Sequence, residues 1–241
     1  MASTLINVMR LASAGLVMAQ HGVRFVPAKM KVPLALRLAQ WAVYPITLLT
    51  WPLRANRPRD QRISDALARL GPSYIKLGQF MATRADVIGP KLAGELSSLQ
   101  DKLPAFSDRE SRRAIEESLL QPRETLFDDF GPPVAAASIA QVHKAKVAQG
   151  GGVSDVAVKV LRPGVERRFR ADLDSYFFAA RQIERWHPPA RRLRPVAVVE
   201  TLRRTTELEM DLRLEAAAIS EMAENIKGDE GFRVPSVDWA R

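Results

Sequence analysis

Two short β-branched stretches lie between long stretches of helical periodicity in this 241-residue chain, and that alternation constrains the fold more than any other feature. The β-branched stretches are Val134–Val147 and Val156–Leu161, and three glycines at 150–152 separate them as a hairpin turn would. Helical patterns fill three longer stretches: Ile63–Leu119, Val165–Trp186 and Val196–Ile226. A few strands among many helices predict an α+β fold, with a small antiparallel sheet packed against helices.

Local signals mark several element boundaries. The dipeptide Gly71-Pro72 is predicted to end one helix and to start the next. Ser107 and Glu110 form a capping box ahead of another helix. The stretch Phe232–Trp239 is predicted to begin a further strand.

Positive charge is concentrated in the N-terminal part of the sequence. Residues 1–70 contain ten Lys or Arg against two acidic residues, whereas residues 71–241 contain 26 against 25. A basic flank beside a nearly neutral body indicates an anionic partner for the flank alone. Nucleic acid is not expected, because the cations are separated by long apolar runs instead of being clustered with stacking aromatic residues.

The charge-free run Leu38–Leu53 predicts contact with a membrane surface. Sixteen residues fall short of the roughly 20 apolar residues that cross a bilayer. The aromatic residues in the run are of the kind that lies at headgroup depth: Trp41, Tyr44 and Trp51. The segment 1–57 is therefore predicted to lie on an anionic membrane surface. The alternative is a helical hairpin that packs on the rest of the protein.

Composition excludes several kinds of site. The chain has no cysteine, which excludes a disulfide scaffold, a thiolate metal site and a cysteine nucleophile. Its three histidines are far apart in sequence, which argues against a histidine metal site. One of them, His143, is predicted to be a structural strand residue. The arginine clusters Arg162–Arg170 and Arg191–Arg204 are predicted to be solvated helix faces.

Lys159 lies in the second β-branched stretch, within Val156-Ala-Val-Lys159. A strand, a turn, a strand with a central lysine and then a long helix with glutamates is the order of a protein-kinase N-lobe. The lysine there contacts the nucleotide phosphates and pairs with a helix glutamate. Where a kinase has a glycine-rich loop, this chain has the alanine-rich stretch Ala135–Val142. Alanine lets the backbone approach a phosphate, but it restricts the positive-φ conformations that glycine allows.

Four motifs in order make the chain similar to the UbiB/AarF family of atypical kinase-like proteins, which are tied to ubiquinone (coenzyme Q) biosynthesis. They are Lys76-Leu-Gly-Gln79, AAASIAQVH at 135–143, VAVK at 156–159, and Glu209-Met-Asp211 followed by Glu215. The resemblance runs from about residue 60 to Arg241. It implies three segments: a membrane-facing segment 1–57, a helical extension 58–130 with the K-x-G-Q motif, and a kinase-like N-lobe 131–241.

The resemblance also implies a site for ATP or ADP. Lys159 would bind the nucleotide phosphates, and Glu215 would orient Lys159. The loop that would cover the phosphates comprises Val134, Ala135, Ala136, Ala137, Ser138, Ile139, Ala140, Gln141 and Val142. A gate particular to the family would comprise Lys76, Gly78, Gln79, Glu209 and Asp211.

One expectation about this gate is specific. Glu209 falls in the apolar stripe that spacings of three and four produce along Val196–Ile226, so its carboxylate would be buried and would need a cation. Lys76 is the candidate, because Gly78 allows a close approach to its helix. We therefore predict that Lys76 pairs with Glu209, with Asp211 near the nucleotide.

No catalytic residue and no metal ligand are assigned. In a kinase the catalytic Asp and Asn and the metal-binding Asp-Phe-Gly follow the helix glutamate, and the 26 residues after Glu215 contain no such motifs. Asp129-Phe130-Gly131 precedes Lys159 and is therefore in the wrong order. The chain is interpreted as part of a longer protein that ends before the hinge, without a C-lobe. It is predicted to be inactive alone, with Mg²⁺ expected for the intact protein.

The intact protein is predicted to be an ATP-binding factor that supports ubiquinone biosynthesis at the cytoplasmic side of the inner membrane, either peripheral or anchored. Its expected partners are the anionic membrane surface and other ubiquinone-biosynthesis proteins or lipid intermediates. One alternative is a non-enzymatic lipid- or quinone-binding helical module with a kinase-like scaffold. A second is a small-molecule phosphotransferase of the kinase superfamily, against which the K-x-G-Q and E-x-D motifs argue.

Overall fold

The computed structural model describes residues 2–23, 45, 50, 57–97, 99, 103–149 and 151–241. Its helices are α1 (Ala2–Gln20), α2 (Arg59–Leu70), α3 (Pro72–Ala82), α4 (Ala85–Ile88), α5 (Pro90–Ser97), α6 (Asp108–Leu119), α7 (Arg123–Leu126), α8 (Val165–Trp186), a 3₁₀ helix (Pro188–Leu193), α9 (Pro195–Met210) and α10 (Leu212–Asn225). The strands are β1 (Asp129–Ala136), β2 (Ala140–Gln149) and β3 (Gly152–Leu161). The fold is α+β, as predicted. The predicted membrane-contact run Leu38–Leu53 lies outside the described residues, apart from Pro45 and Thr50.

The chain divides into two compact units. The helical unit comprises Met1–Leu103 and Gly164–Arg203, and the sheet unit comprises Pro104–Pro163 and Arg204–Arg241. Helix α8 has the predicted bounds and belongs to the helical unit. The segment boundaries expected at residues 57 and 130 stay predictions.

An apolar core joins six helices of the helical unit. Its buried members are Ala14, Met18, Ile63, Ala66, Leu67, Tyr74, Ile75, Leu96, Leu173, Tyr176, Ala180, Val199 and Leu202. The buried side chains of α2 recur at helical spacing, as the sequence predicts. Helix α1 supplies Ala14 and Met18, so the start of the chain is part of this core.

A buried carboxylate ties three helices of this unit together. Asp172 on α8 accepts hydrogen bonds from the hydroxyl of Ser73 on α3 and from Arg10 Nη1 on α1, the latter at 2.9 Å. Ser175, one turn further along α8, donates to Asn7 Oδ1 at 3.1 Å. Asn7 lies three residues before Arg10 on α1, whereas its partner Ser175 lies three residues after Asp172 on α8. The two helices therefore run antiparallel. These partners offset the desolvation of the Asp172 charge.

The junction between α2 and α3 requires glycine, in agreement with the predicted boundary at Gly71-Pro72. The N–H of Gly71 donates to Leu67 O at 3.0 Å, and its φ of +106° lies in the region that favours glycine. Arg168 Nη2 donates to Leu70 O at 2.6 Å. The same nitrogen lies 2.6 Å from the place where a Cβ on residue 71 would stand. Arg168 is an exposed residue of α8, in agreement with the predicted solvated face, and it also binds the end of α2.

The sheet unit contains a three-stranded antiparallel sheet in the order β1-β2-β3. β2 and β3 pair along their whole length, from Ala140 opposite Leu161 to Gln149 opposite Gly152. Only residues 150 and 151 therefore connect the two strands. This confirms the predicted glycine turn.

Two strand predictions need correction. The single stretch predicted at Val134–Val147 is in fact the end of β1 and most of β2, separated by residues 137–139. Residues 232–238 form no strand, and Pro235 in their middle has no N–H for a ladder hydrogen bond.

His143 on β2 is confirmed as a structural residue of the sheet unit. Its Nδ1 lies 2.9 Å from Gly131 O, and its Nε2 lies 3.2 Å from Ser111 Oγ and 2.9 Å from Gln141 Nε2. The carbonyl can only accept, so Nδ1 carries the proton and Nε2 accepts. Ser111 lies on α6, which the predicted capping box of Ser107 begins. This buried network fixes α6 and β1 against β2.

Replacing Gly71 with alanine is expected to destabilise the helical unit by about 1–3 kcal/mol, because a positive φ strains any residue with a Cβ. The new methyl group must also displace the guanidinium of Arg168. The matched control is Gly94→Ala on α5, where nothing lies within 4 Å of the Cβ position. The control should be neutral or stabilising by up to about 1 kcal/mol. Urea unfolding measures both free energies, and equal effects would contradict the prediction.

Candidate functional site

Lys159 and Glu215 form an ion pair within the sheet unit. Lys159 lies on β3 opposite Val142 of β2, and its Nζ donates to Glu215 Oε2 at 2.5 Å. Glu215 lies in the first turn of α10. The two side chains are 38% and 47% exposed, so the pair contributes little to stability and remains accessible to a ligand. The pairing predicted from the sequence is present.

The alanine-rich stretch forms the connection between β1 and β2. β1 ends at Ala136 and β2 begins at Ala140, and the N–H of Ala137 donates to Ala140 O at 2.8 Å. None of residues 134–142 has a positive φ. The connection, called the alanine turn below (residues 137–140), therefore uses only backbone conformations that alanine adopts readily.

Most side chains of the alanine turn, and that of the next residue, Gln141, point into the protein. Ser138, Ile139, Ala140 and Gln141 are buried. The amide of Gln141 accepts the N–H of Phe106 at 2.9 Å and donates to Ser111 Oγ at 2.7 Å. Residues 138–141 are buried with their backbone included, whereas Ala136 and Ala137 before them are half-buried. Val134 and Ala135 are exposed.

Arg162, at the end of β3, contacts the alanine turn, which the sequence analysis missed. Its Nη2 donates to Ala137 O at 3.3 Å and to Pro104 O at 3.0 Å. Its backbone N–H donates to Ile139 O at 2.8 Å, and its guanidinium lies 5.2 Å from the ring centroid of Phe106. Burial lowers the pKa of Arg162. The predicted solvated helix face is wrong here because Arg162 precedes α8. Its position three residues after Lys159 was the sequence signal that could have separated it from the helix arginines.

The predicted gate residues are divided between the two units. Lys76, Gly78 and Gln79 lie on α3 of the helical unit, whereas Glu209 and Asp211 belong to the sheet unit. The pairing of Lys76 with Glu209 stays a prediction.

The predicted burial of Glu209, on which that pairing was based, is wrong. Along α9 the buried positions are Val198, Val199, Leu202, Thr206 and Met210, and Glu209 is exposed. Val198 and Leu202 are buried as predicted, but Thr206 and Met210 replace Thr205 and Glu209 in the stripe. The predicted single helix then breaks at Asp211, which caps α10. After the break the stripe has the predicted phase, with half-buried Leu212, Ala216, Ile219, Ala223 and Ile226.

Gly78 does allow a close approach, but the neighbours are apolar. A Cβ on Gly78 would stand 2.5 Å from Leu99 Cδ1 and 2.8 Å from Leu67 Cδ1. These leucines belong to the helical unit, so the glycine serves the packing of that unit.

Asp211 is held by the residue two positions along. Its Oδ1 accepts the N–H and the Nε of Arg213 at 3.1 and 3.0 Å, and its Oδ2 accepts Nη2 at 3.0 Å. Hydrogen bonding to the Arg213 side chain lowers the pKa of Asp211. Its predicted place near a nucleotide stays a prediction.

The Asp129-Phe130-Gly131 triplet begins β1. A Cβ on Gly131 would stand 3.0 Å from Lys144 O, so the triplet meets a packing requirement of the sheet. Within the part of the chain that the structure describes, no three or more His, Asp or Glu side chains converge as metal ligands would.

Comparison with known proteins identifies the family to which the chain is similar. Residues 98–241 match the family described as ABC1 atypical kinase-like domain. The chain is 42% identical over 193 residues to a probable protein kinase UbiB of Aeromonas salmonicida, covering 78% of this chain and 35% of the relative. It is 43% identical over 183 residues to a probable protein kinase UbiB of Shewanella baltica, covering 76% and 33%.

The chain spans about a third of the length of the curated relatives it matches. The matched region includes the alanine turn, Lys159 and Glu215. The resemblance inferred from the four motifs is thus confirmed, and the chain belongs to the UbiB family of ABC1 atypical kinase-like proteins.

Proposed function

We propose that the sheet unit binds the phosphates of ATP or ADP. The observation that carries this proposal is the accessible ion pair between Lys159 and Glu215, on the strand next to the alanine turn. An ammonium group has three N–H donors, and Glu215 occupies one of them. The other two can bind phosphate oxygens while Glu215 keeps the side chain in place, as in the lysine–glutamate arrangement of kinases.

The backbone of the alanine turn is proposed to cover the phosphates. Successive N–H groups in a turn attract anions, and this requires no polar side chain. The backbone that a ligand can reach is that of residues 134–137, because Val134 and Ala135 are exposed and Ala136 and Ala137 are half-buried. Mg²⁺, proposed for the whole protein, would neutralise phosphate charge.

Replacing Lys159 with alanine is expected to weaken ADP binding about ten- to hundredfold, because a charge-assisted hydrogen bond is worth roughly 1.5–3 kcal/mol. The matched control is Lys144→Ala. Lys144 is a strand lysine of the same unit, and its Nζ pairs with Asp155 Oδ2 at 2.9 Å. Both variants lose one positive charge from the sheet, so a general electrostatic effect would appear in both.

Isothermal titration calorimetry of the 241-residue chain with ADP gives the affinities. Equal affinities for the two variants, or a larger loss in the control, would show that β3 does not carry the phosphate-binding lysine. ATP turnover is not expected from this chain, because it offers no catalytic-loop Asp after Glu215.

The wider activity is a proposal for the whole protein. Family membership supports an atypical kinase or ATPase that assists ubiquinone biosynthesis, with other proteins of that pathway or lipid intermediates as partners. A small-molecule phosphotransferase is disfavoured, because the K-x-G-Q and E-x-D motifs are those of the UbiB/AarF family.

Contact of residues 1–57 with an anionic membrane, at the cytoplasmic side of the inner membrane, is also a proposal. Helix α1 supports it by exposing Leu5, Ile6, Val8 and Met9. No described helix is long and apolar enough to cross a bilayer. Of the seven Lys and Arg in this segment, Arg10 and Arg57 pair with aspartates. The segment has no acidic residue, and its positive charge is proposed to attract the headgroups.

The double substitution Leu5→Ser and Met9→Ser is expected to weaken binding to phosphatidylglycerol vesicles at least about tenfold, since burying one large apolar side chain contributes about 1.5–3 kcal/mol. Substitution is preferable to deletion because Ala14 and Met18 of α1 belong to the core. The control is Leu208→Ser with Leu214→Ser, two exposed leucines of the sheet unit.

Vesicle co-sedimentation measures both double variants. An equal loss in both would contradict a membrane-binding role for α1. Vesicle binding by a chain that binds no ADP would favour the alternative of a lipid- or quinone-binding module with a kinase-like scaffold.

A further inference from the structure

Five exposed arginines lie at the C-terminal end of α8 and in the 3₁₀ helix that follows it. They are Arg181, Arg185, Arg191, Arg192 and Arg194. Residues 181–194 contain one acidic residue, Glu184. Glu184 joins the two helices, because its backbone carbonyl accepts Arg191 Nε at 2.8 Å and its Oε1 accepts the N–H of Val196 at 3.1 Å. The five side chains therefore lie at one end of the helical unit and are called the arginine surface below.

Most of this positive charge is not neutralised within the protein. Arg185, Arg192 and Arg194 have no side-chain hydrogen bond, ion pair or ring contact with any residue that the structure describes. Arg181 lies over the Phe177 ring, 5.8 Å from its centroid, and gains no counter-charge there. Other arginines of the helical unit pair with carboxylates, namely Arg10, Arg57, Arg84 and Arg170. The arginine surface therefore attracts an anionic partner.

Trp186 extends this surface on the side of α8 that faces α1. Asp172 and Ser175 contact α1, and steps of four, three and four residues from Ser175 lead along the same helix face to Trp186. Because α1 and α8 run antiparallel, α1 begins near the level of Ala180, and Trp186 lies about 9 Å beyond that level. The Trp186 side chain is 38% exposed. Tryptophan is enriched at the headgroup level of membranes.

The exposed apolar side chains of α1 lie at the same end of the helical unit. They are Leu5, Ile6, Val8 and Met9, between 47% and 63% exposed. All four belong to the first half of α1, which antiparallel packing places beside the second half of α8. Apolar side chains beside unpaired arginines suit a lipid surface, since the former enter the acyl boundary and the latter bind phosphates. A single-stranded nucleic acid would need stacking aromatic residues among the cations, and Trp186 is the single Phe, Tyr or Trp of residues 181–194.

We propose that the arginine surface and Trp186 bind the headgroups of anionic phospholipids and direct the first half of α1 toward the bilayer. The proposal rests on the proposed membrane contact of residues 1–57. It adds a second determinant outside that segment, at the end of a helix that the core of the helical unit holds in place. Membrane binding then depends on the folded unit as well as on the N-terminal residues.

The test neutralises the three unpaired arginines together: Arg185→Gln, Arg192→Gln and Arg194→Gln. Co-sedimentation of the 241-residue chain with phosphatidylglycerol vesicles is expected to show about ten- to hundredfold weaker binding, because each arginine near an anionic surface contributes to the attraction. The control neutralises three exposed arginines near the opposite end of α8: Arg69→Gln, Arg167→Gln and Arg170→Gln. The two on α8 lie at least about 20 Å from Arg185 along the axis, well beyond the screening length of about 8 Å in physiological salt, so little change is expected.

A fluorescent label measures the orientation of the bound protein. The chain has no cysteine, so Pro189→Cys in the 3₁₀ helix gives a single site for an environment-sensitive fluorophore. Its emission is expected to shift to the blue on phosphatidylglycerol vesicles, because the dye enters the headgroup region. The control site is Ala68→Cys, an exposed position of α2 next to Arg69, where the emission should stay unchanged. Shifts of equal size at both sites would contradict the proposed orientation.

Failure of this proposal can be distinguished from failure of the membrane contact on which it rests. A wild-type chain that does not bind the vesicles would overturn both. A wild-type chain that binds them, with equal affinities for the two triple variants, would overturn the role of the arginine surface alone. The same holds if the first triple variant loses binding to a single-stranded oligonucleotide while its vesicle binding is unchanged, since the surface would then belong to nucleic acid.

Discussion

The antiparallel ladder between β2 and β3 places Lys159, Arg162 and the alanine turn. It sets Lys159 opposite Val142, and it brings Arg162 at the end of β3 beside the alanine turn. Side chains alternate across a strand, so Val158 and Val160 face inward while Lys159 stays accessible. A shift of the strand pairing by one residue would turn Lys159 inward and the two valines outward. The two-residue connection at 150–151 makes such a slip difficult, because it leaves no slack in the loop.

Much of this arrangement could be predicted from the sequence, since it follows from local signals. Glycines marked the β2–β3 connection, Gly71-Pro72 marked a helix boundary, and the order of Lys159 and Glu215 identified their pairing. The family motifs added the expected role of each residue. These features depend on backbone geometry or on short spacings, which the amino-acid types reveal directly.

The errors arose where one polar residue can serve two purposes. Asp211 is as compatible with a helix surface as with an N-cap, so the break that it makes was invisible and the burial of Glu209 was misjudged. Arg162 was grouped with the arginines that follow it, although its position three residues after Lys159 sets it apart, and its contacts with Ala137 and Pro104 depend on the tertiary structure. Periodicity locates apolar faces, but it does not show which charged side chain folds back onto the backbone.

The link between α1 and α8 has a consequence for the order in which the protein folds. Arg10 and Asp172 are 162 residues apart, so the ribosome, adding roughly 5–20 residues per second, needs about 10–30 s to supply the second partner. The β2–β3 hairpin joins neighbouring residues and can form as soon as it emerges. Until Asp172 appears, the apolar residues Ala14 and Met18 of the nascent chain lack part of their core. Helix α1 therefore completes its burial only after α8 has been synthesised, and until then its apolar residues depend on protection from aggregation.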